Sequence, residues 1–261
     1  MLYIMRPLVV LIFLIQAGFS ATRIQFNAAS SSQLPDEALI FTFPSNKASV
    51  EVSNGRLRIS PGMGTNSARA SIAFPPANGS VSGRSRELKV EFDPFQYYGG
   101  EEGRAGLWAG FATAPLGAQS IYSITGRWAG VLIEIKESND GSFSVLLLQR
   151  WNISETDEAM REGGLTSDSC IEEICKLTEC PAQVELKIED GAVRISFTGA
   201  DLTAVAPNVK GSKGGNEIEK ALQPEMEEVL KGDLDAAFGL ANYGELPETP
   251  VLLIKSFSVK Q

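Results

Sequence analysis

Apolar and polar residues alternate around a turn in three parts of this chain. From Ser49 to Ile59, Val50, Val52, Leu57 and Ile59 alternate with polar residues around Asn54-Gly55. Asn-Gly suits a two-residue type I′ turn, in which both central residues need positive φ. Pairing outward from it sets Val52 opposite Leu57 and Val50 opposite Ile59, with Glu51 opposite Arg58 on the other face. From Val184 to Phe197 the design repeats around Asp190-Gly191: Ile188 opposite Val193, Leu186 opposite Ile195, Val184 opposite Phe197. A slip of one residue would move every one of these apolar side chains into water, so the register is strongly specified. The third hairpin joins Val131–Lys136 to Phe143–Leu148 through Asn139-Asp140-Gly141. Its loop fits a two-residue turn or a three-residue turn with a bulge. Both arms are more apolar than strict alternation requires, which predicts a central strand pair covered on both faces.

Further strands are predicted at Leu88–Phe92, Leu107–Ala112, Ser120–Thr125, Ala236–Ala241 and Val251–Val259, separated by connections rich in Gly, Pro and Ser. Two short helices are expected in the loops. One is capped at Ser154 and runs to Arg161. The other lies within Asn216–Lys231, where Ile218, Leu222, Met226, Val229 and Leu230 stand near helical spacing and Pro224 starts or breaks the run. The expected fold is all-β: a two-sheet antiparallel sandwich, or jelly roll, in one domain.

The first twenty residues differ from the rest. Arg6 is followed by the apolar run Leu8–Ile15, then by Ala17-Gly18-Phe19-Ser20. A positive start, an apolar core and small residues at a cut site define a secretory signal. Residues 1–20 are therefore expected to be removed and 21–261 to form the domain, secreted, periplasmic or at the cell surface. The run is too short for a spanning helix, and no membrane span is expected after cleavage. No cysteine sits near the cut to carry a lipid.

Composition removes several kinds of chemistry. The 261 residues contain no histidine, which excludes a Ser-His-Asp triad, a Cys-His nucleophile and a histidine-ligated zinc site. The formal charge of −9, or −10 without the signal, argues against binding a nucleic-acid backbone. Cys170, Cys175 and Cys180 fall within one eleven-residue stretch. In an oxidising compartment a local disulfide between two of them is expected, with the pairing open. A helix capped at Ser169 would point Cys170 and Cys175 in different directions and forbid that pair.

The order of strands resembles the concanavalin A-like lectin/glucanase superfamily in its laminin-G-like form. The resemblance spans roughly residues 34–260. Its strongest pieces are Gly103–Phe111, the Val184–Phe197 hairpin, and Phe238–Asn242 followed by Leu252–Val259. It implies two antiparallel sheets, one curved, with a concave face that receives glycans in this family.

Relatives that hydrolyse laminarin-type polymers carry acidic residues at alternate positions of one strand, because one carboxyl protonates the leaving oxygen while the other attacks. Here the corresponding positions are Glu134, Lys136 and Ser138, with Glu137 on the opposite side, so catalysis is not expected. Trp108 falls on the face opposite Leu107 and Phe111 and is the candidate stacking platform for a sugar ring. Tyr97, Tyr98 and Glu102 form the candidate binding loop with Gly99 and Gly100. No cofactor is expected. Structural calcium is implied only by the resemblance, with Asp93, Glu101, Glu102, Asp233 and Asp235 as available oxygens. Two partners fit this picture: an extracellular neutral polysaccharide or, for an adhesion module, a cell-surface protein.

Overall fold

The computed structural model describes residues 23–43, 48–60, 69–74, 86–94, 104–112, 128–138, 140–152, 169–189, 191–230, 234–243 and 251–260. In chain order the strands are β1 (Arg23–Asn27), β2 (Leu39–Phe43), β3 (Ser49–Ser53), β4 (Arg56–Ser60), β5 (Arg69–Phe74), β6 (Glu87–Asp93), β7 (Arg104–Ala112) and β8 (Trp128–Glu137). They continue as β9 (Phe143–Asn152), β10 (Ser169–Leu177), β11 (Gln183–Glu189), β12 (Ala192–Thr198), β13 (Leu202–Val205), β14 (Glu217–Ala221), β15 (Asp235–Tyr243) and β16 (Leu252–Lys260). One short helix, α1, spans Pro224–Val229.

The strands form two antiparallel sheets of eight. The first runs β14-β12-β11-β6-β16-β4-β3, with β1 also paired to β16. The second runs β13-β10-β9-β8-β7-β15-β5-β2. Non-consecutive neighbours in both orders give the interleaved connectivity of a jelly-roll sandwich rather than a meander.

The first two hairpins form in the expected register. Val52 faces Leu57 and Val50 faces Ile59, and Arg58 bonds Glu51 at 3.2 Å on the outer side. Leu186 faces Ile195 and Ile188 faces Val193. Asn54 at φ 50° and Gly55 at 69° take the left-handed conformations that a type I′ turn requires. In the third hairpin Ser138 N–H donates to Ser142 O and Gly141 N–H donates to Ser138 O, while Gly141 sits at φ 79°. That is the three-residue alternative, with glycine at the left-handed position. Its strands β8 and β9 lie in the middle of the second sheet, as their apolar excess predicts.

Between the sheets, alternate residues interdigitate in one core. Its aromatic centre joins both layers. Phe257 of the first sheet lies 5.1 Å from Phe26 and 5.1 Å from Phe74, and 4.9 Å from Phe238, ring centre to ring centre. One end of this core is polar. Gln149, wholly buried on β9, donates to Ala221 O at 3.1 Å and accepts from Gln223 N–H at 3.0 Å. It thereby fixes the end of β14 and the N-cap of α1 against the other sheet. Beside it Lys220 reaches Glu172 at 2.7 Å, and Asn208 donates to the other oxygen of that carboxylate at 2.9 Å. Burial opposes ionising Glu172, but these two donors outweigh it and hold its carboxyl below the usual range.

Two expectations are corrected. The apolar spacing over Asn216–Lys231 does not make one helix: Glu217–Ala221 is a strand paired with β12, and only the part that starts at Pro224 is helical. Pro224 at the helix start has no N–H to pair, so β14 ends and α1 begins there. Ser169 caps no helix, because Ser169–Leu177 is strand β10, and no disulfide forms among the described residues. Cys175 is instead a core side chain, its thiol pushed up to about 12 by burial and, secondarily, by the Glu173 charge. The expected strand Ser120–Thr125 and helix Ser154–Arg161 lie outside the described residues, as do residues 1–20. Among the described residues no helix is long and apolar enough to cross a membrane.

Candidate functional site

The chemistry that the fold leaves unanswered is on the outer face of the second sheet. Alternation on β7 and β8 sends Leu107, Ala109, Phe111, Val131 and Ile133 into the core. The intervening positions turn outward. There Trp108, Trp128, Leu132, Leu148, Ala73 and Ala237 form a second buried apolar cluster, with Phe41 packed against it. Glycines alternate with them at 106, 110, 130 and 239, on the same side as Trp108. Gly110 and Gly130 are directly paired, between the Trp108–Leu132 and Ala112–Trp128 pairs. A Cβ on Gly110 would lie 2.4 Å from Ala129 O and 2.6 Å from Gly130 Cα, so β7 and β8 approach too closely for any side chain there.

Two indole N–H groups and one carboxylate on this face have no partner among the described residues. The indole Nε1 of Trp108 and that of Trp128 are both buried, and neither finds an acceptor among the described residues. Asp235 lies at the start of β15 in one row with Ala112, Trp128 and Asn152 across four strands. Burial alone pushes its carboxyl above the usual carboxylate range, and it makes no hydrogen bond or ion pair with a described residue. Arg150, one step along β9 from Trp151, places its guanidinium carbon 5.8 Å from the centre of the Trp128 ring. At the far end of the face Glu134 is buried on β8, followed by exposed Lys136.

The register fixes how far apart the two carboxylates stand. Asp235 is level with Ala112, and Glu134 lies one step past the Ile133–Leu107 pair. Six residues of extended strand separate those levels, about 20 Å. Acid and nucleophile or base in a glycosidase stand roughly 5–9.5 Å apart, so Glu134 and Asp235 cannot act together on one bond.

Trp108 occupies the predicted face, but its ring is only 1% exposed, so it is not an open stacking platform. Alternation assigned the face correctly and carried no information about what covers it. Tyr97, Tyr98 and Glu102 lie outside the described residues. Trp151 points into the core. Trp128 and Asp235 are the candidate-site residues that sequence reasoning did not place on this face, Asp235 having been named only as an available calcium oxygen. The signal for Trp128 was its period-two phase with Gly130 and Leu132; Asp235 had none, because its neighbours come from distant strands.

Calcium finds no fit among the described residues. Asp93 is bound to Arg56 at 3.0 Å, Asp235 stands alone, and no group of three or more acidic or cysteine ligands occurs. Glu101, Glu102 and Asp233 are outside them.

No protein-family model matches the chain, and no curated protein matches its sequence. Solved structures do resemble it. Lectin I-B4 from Griffonia simplicifolia, in its metal-free form, is 11% identical with a TM-score of 0.48, over 92% of this chain and 99% of that one. Lectin II from Ulex europaeus is 11% identical with a TM-score of 0.44, over 92% and 97%. The exoplasmic/lumenal domain of VIP36, bound to Ca2+ and Man3GlcNAc, is 13% identical with a TM-score of 0.40, over 86% and 83%. At these identities the likeness is one of fold.

Proposed function

We propose that this protein is an exported, non-catalytic glycan-binding protein that holds a neutral polysaccharide on the outer face of its second sheet. One observation carries the proposal: two indole donors and one carboxylate acceptor, without described partners, share a face with Arg150 and an aromatic floor. Buried polar groups are otherwise satisfied in more than nine cases out of ten. A sugar hydroxyl accepts from an indole N–H and donates to a carboxylate, while its C–H face packs on aromatic surface. A protein-binding adhesion face would instead be apolar without such groups. Asp235 and Arg150 beside Trp128 favour sugar.

Neutral ligands fit better than polyanions because the chain as a whole carries −9. The wide spacing of Asp235 and Glu134 supports a non-catalytic role. Both indole rings are almost wholly buried, so a ligand reaches them only with local rearrangement. The fraction of molecules so rearranged scales down the affinity, which is expected at micromolar to millimolar Kd. Export follows from the composition of residues 1–20, and N-terminal sequencing of protein recovered outside the cell should begin at Ala21.

Titration with neutral oligosaccharides, followed by tryptophan fluorescence and indole N–H NMR shifts, tests the binding. Movement of both indole resonances, lost in Asp235→Asn, is the expected result. Silence of both resonances at millimolar glycan would overturn the proposal.

A further inference from the structure

We propose that β14 and α1 form one flap, latched to the second sheet by Gln149 and Glu172 and released as a unit when Glu172 loses its charge. Most of the contact between the two sheets is apolar. At the β14 end it is not. Two buried side chains there reach across in opposite directions, Gln149 from the second sheet and Lys220 from the first. Gln149 holds Ala221 O at 3.1 Å and Gln223 N–H at 3.0 Å, so one side chain grips the end of the strand and the start of the helix. Lys220 holds Glu172 of β10 at 2.7 Å.

The latch closes an apolar underside, made by Ile218, Leu222, Met226 and Val229, all buried in the core. Outside, Glu219 pairs with Arg194 and Lys210, and Glu217 accepts from Ser196. Ion pairs this exposed contribute little. β14 is the last strand of its sheet, so it can part from β12 without breaking another strand pair.

Lys220 makes the latch conditional. Its side chain is 8% exposed, and its partner among the described residues is Glu172. Neutralising one member of a buried pair strands the charge of the other. The surrounding elements offer no replacement anion. β9 brings Gln149, the loop after β13 brings Asn208, and β10 brings the Cys175 thiol, which burial keeps protonated. Glu173 and Lys176 turn outward to Ser144 and Asp140, while Glu225, Glu227 and Glu228 of α1 are exposed. Burial opposes ionisation of Glu172, but Lys220 and Asn208 favour it and hold its pKa below the ordinary 4.5. The latch is therefore complete above pH 4.5 and weakens as pH falls through the lowered value.

Hydrogen exchange over residues 217–230 of the full chain, corrected for intrinsic rates, tests the flap. Glu172→Gln at neutral pH leaves Lys220 buried without its anion. Protection of the flap should then fall about tenfold or more, while residues 252–260 of β16 keep theirs. Adding Lys220→Met removes the stranded charge and should restore protection. In the wild type the same segment should open first as pH falls below 4.5. Glu219→Gln, on the exposed side, should leave the flap closed at neutral pH. Unchanged exchange in Glu172→Gln, loss over both segments together, an equal loss in Glu219→Gln, or no recovery in the double variant would each overturn the proposal. Glycan binding on the sheet face does not enter these readouts.

Discussion

The two sheets share one core and differ in their outer faces. On the first, every strand from β14 to β16 presents charge, and most of those charges meet an opposite one on a neighbouring strand. Arg194 bonds Glu189 and, at 2.8 Å, Glu219, which also receives Lys210. Lys187 links Glu189 and Glu87, Lys89 meets Glu185 at 2.7 Å, and Lys255 with Ser256 holds Glu91. Such exposed pairs contribute about 0–1 kcal/mol each. The second outer face is aromatic and glycine-rich, and its polar groups include two indole N–H groups and a carboxylate left unanswered. The first face pairs most of its charges across strands; the second leaves two indole N–H groups and a carboxylate without partners among the described residues.

The harshest way to break this contrast is to destroy the second face's backbone. Gly110→Val pushes a branched side chain into Ala129 O and Gly130, and should cost about 1–3 kcal/mol or more. Thermal unfolding would show a fall in Tm. A variant with wild-type Tm would mean that the close approach of β7 and β8 is not required.

Asp235→Asn removes the negative charge and one of the two acceptor oxygens, and should weaken glycan binding about 10-fold or more, as a hydrogen bond to a charged group gives way to one to a neutral amide. Its pH dependence sharpens the test. Burial raises the folded pKa of Asp235 above its ordinary 3.8. The folded state therefore keeps this proton when the unfolded chain has lost it. The associated stability is fully present below pH 3.8 and declines as pH rises from there through the raised value. A hydroxyl donating to the carboxylate favours the ionised form, so affinity should rise with pH across the same window. Calorimetric titration of wild type and Asp235→Asn would show the slope in the first and its absence in the second.

Trp128→Phe keeps an aromatic surface and deletes one N–H. A loss of about fivefold to tenfold in affinity is expected, the share of one neutral hydrogen bond. Equal binding by the variant would leave Trp128 as packing alone. The smallest effect belongs to the first sheet: Lys89→Ala should change stability by less than about 1 kcal/mol and leave glycan titrations unchanged. A clear loss of binding there would place the ligand on the first sheet instead.

Much of the fold was legible because turn chemistry and period-two patterning act locally. Asn54-Gly55 and Asp190-Gly191 set two registers before any tertiary contact is known, and a shift of one residue would have exposed every apolar partner. The stretch from Asn216 to Lys231 misled, because apolar residues spaced by four satisfy a strand followed by a helix as well as one helix. β12 decided between them by offering an edge to Glu217–Ala221. Cysteine spacing misled for a related reason: β10 became a strand whose alternation buried Cys175 in the core.

By itself the sequence determined the all-β class, the hairpin registers and the side of the sheet to which Trp108 belongs, since each depends on neighbours along the chain. Only the tertiary structure decided what those positions mean. Burial of Trp108, the row that joins Asp235 to Trp128 and the distance from Glu134 to Asp235 all depend on which distant strands lie side by side. Strand order is fixed by the packing of the whole sandwich, and no local pattern encodes it.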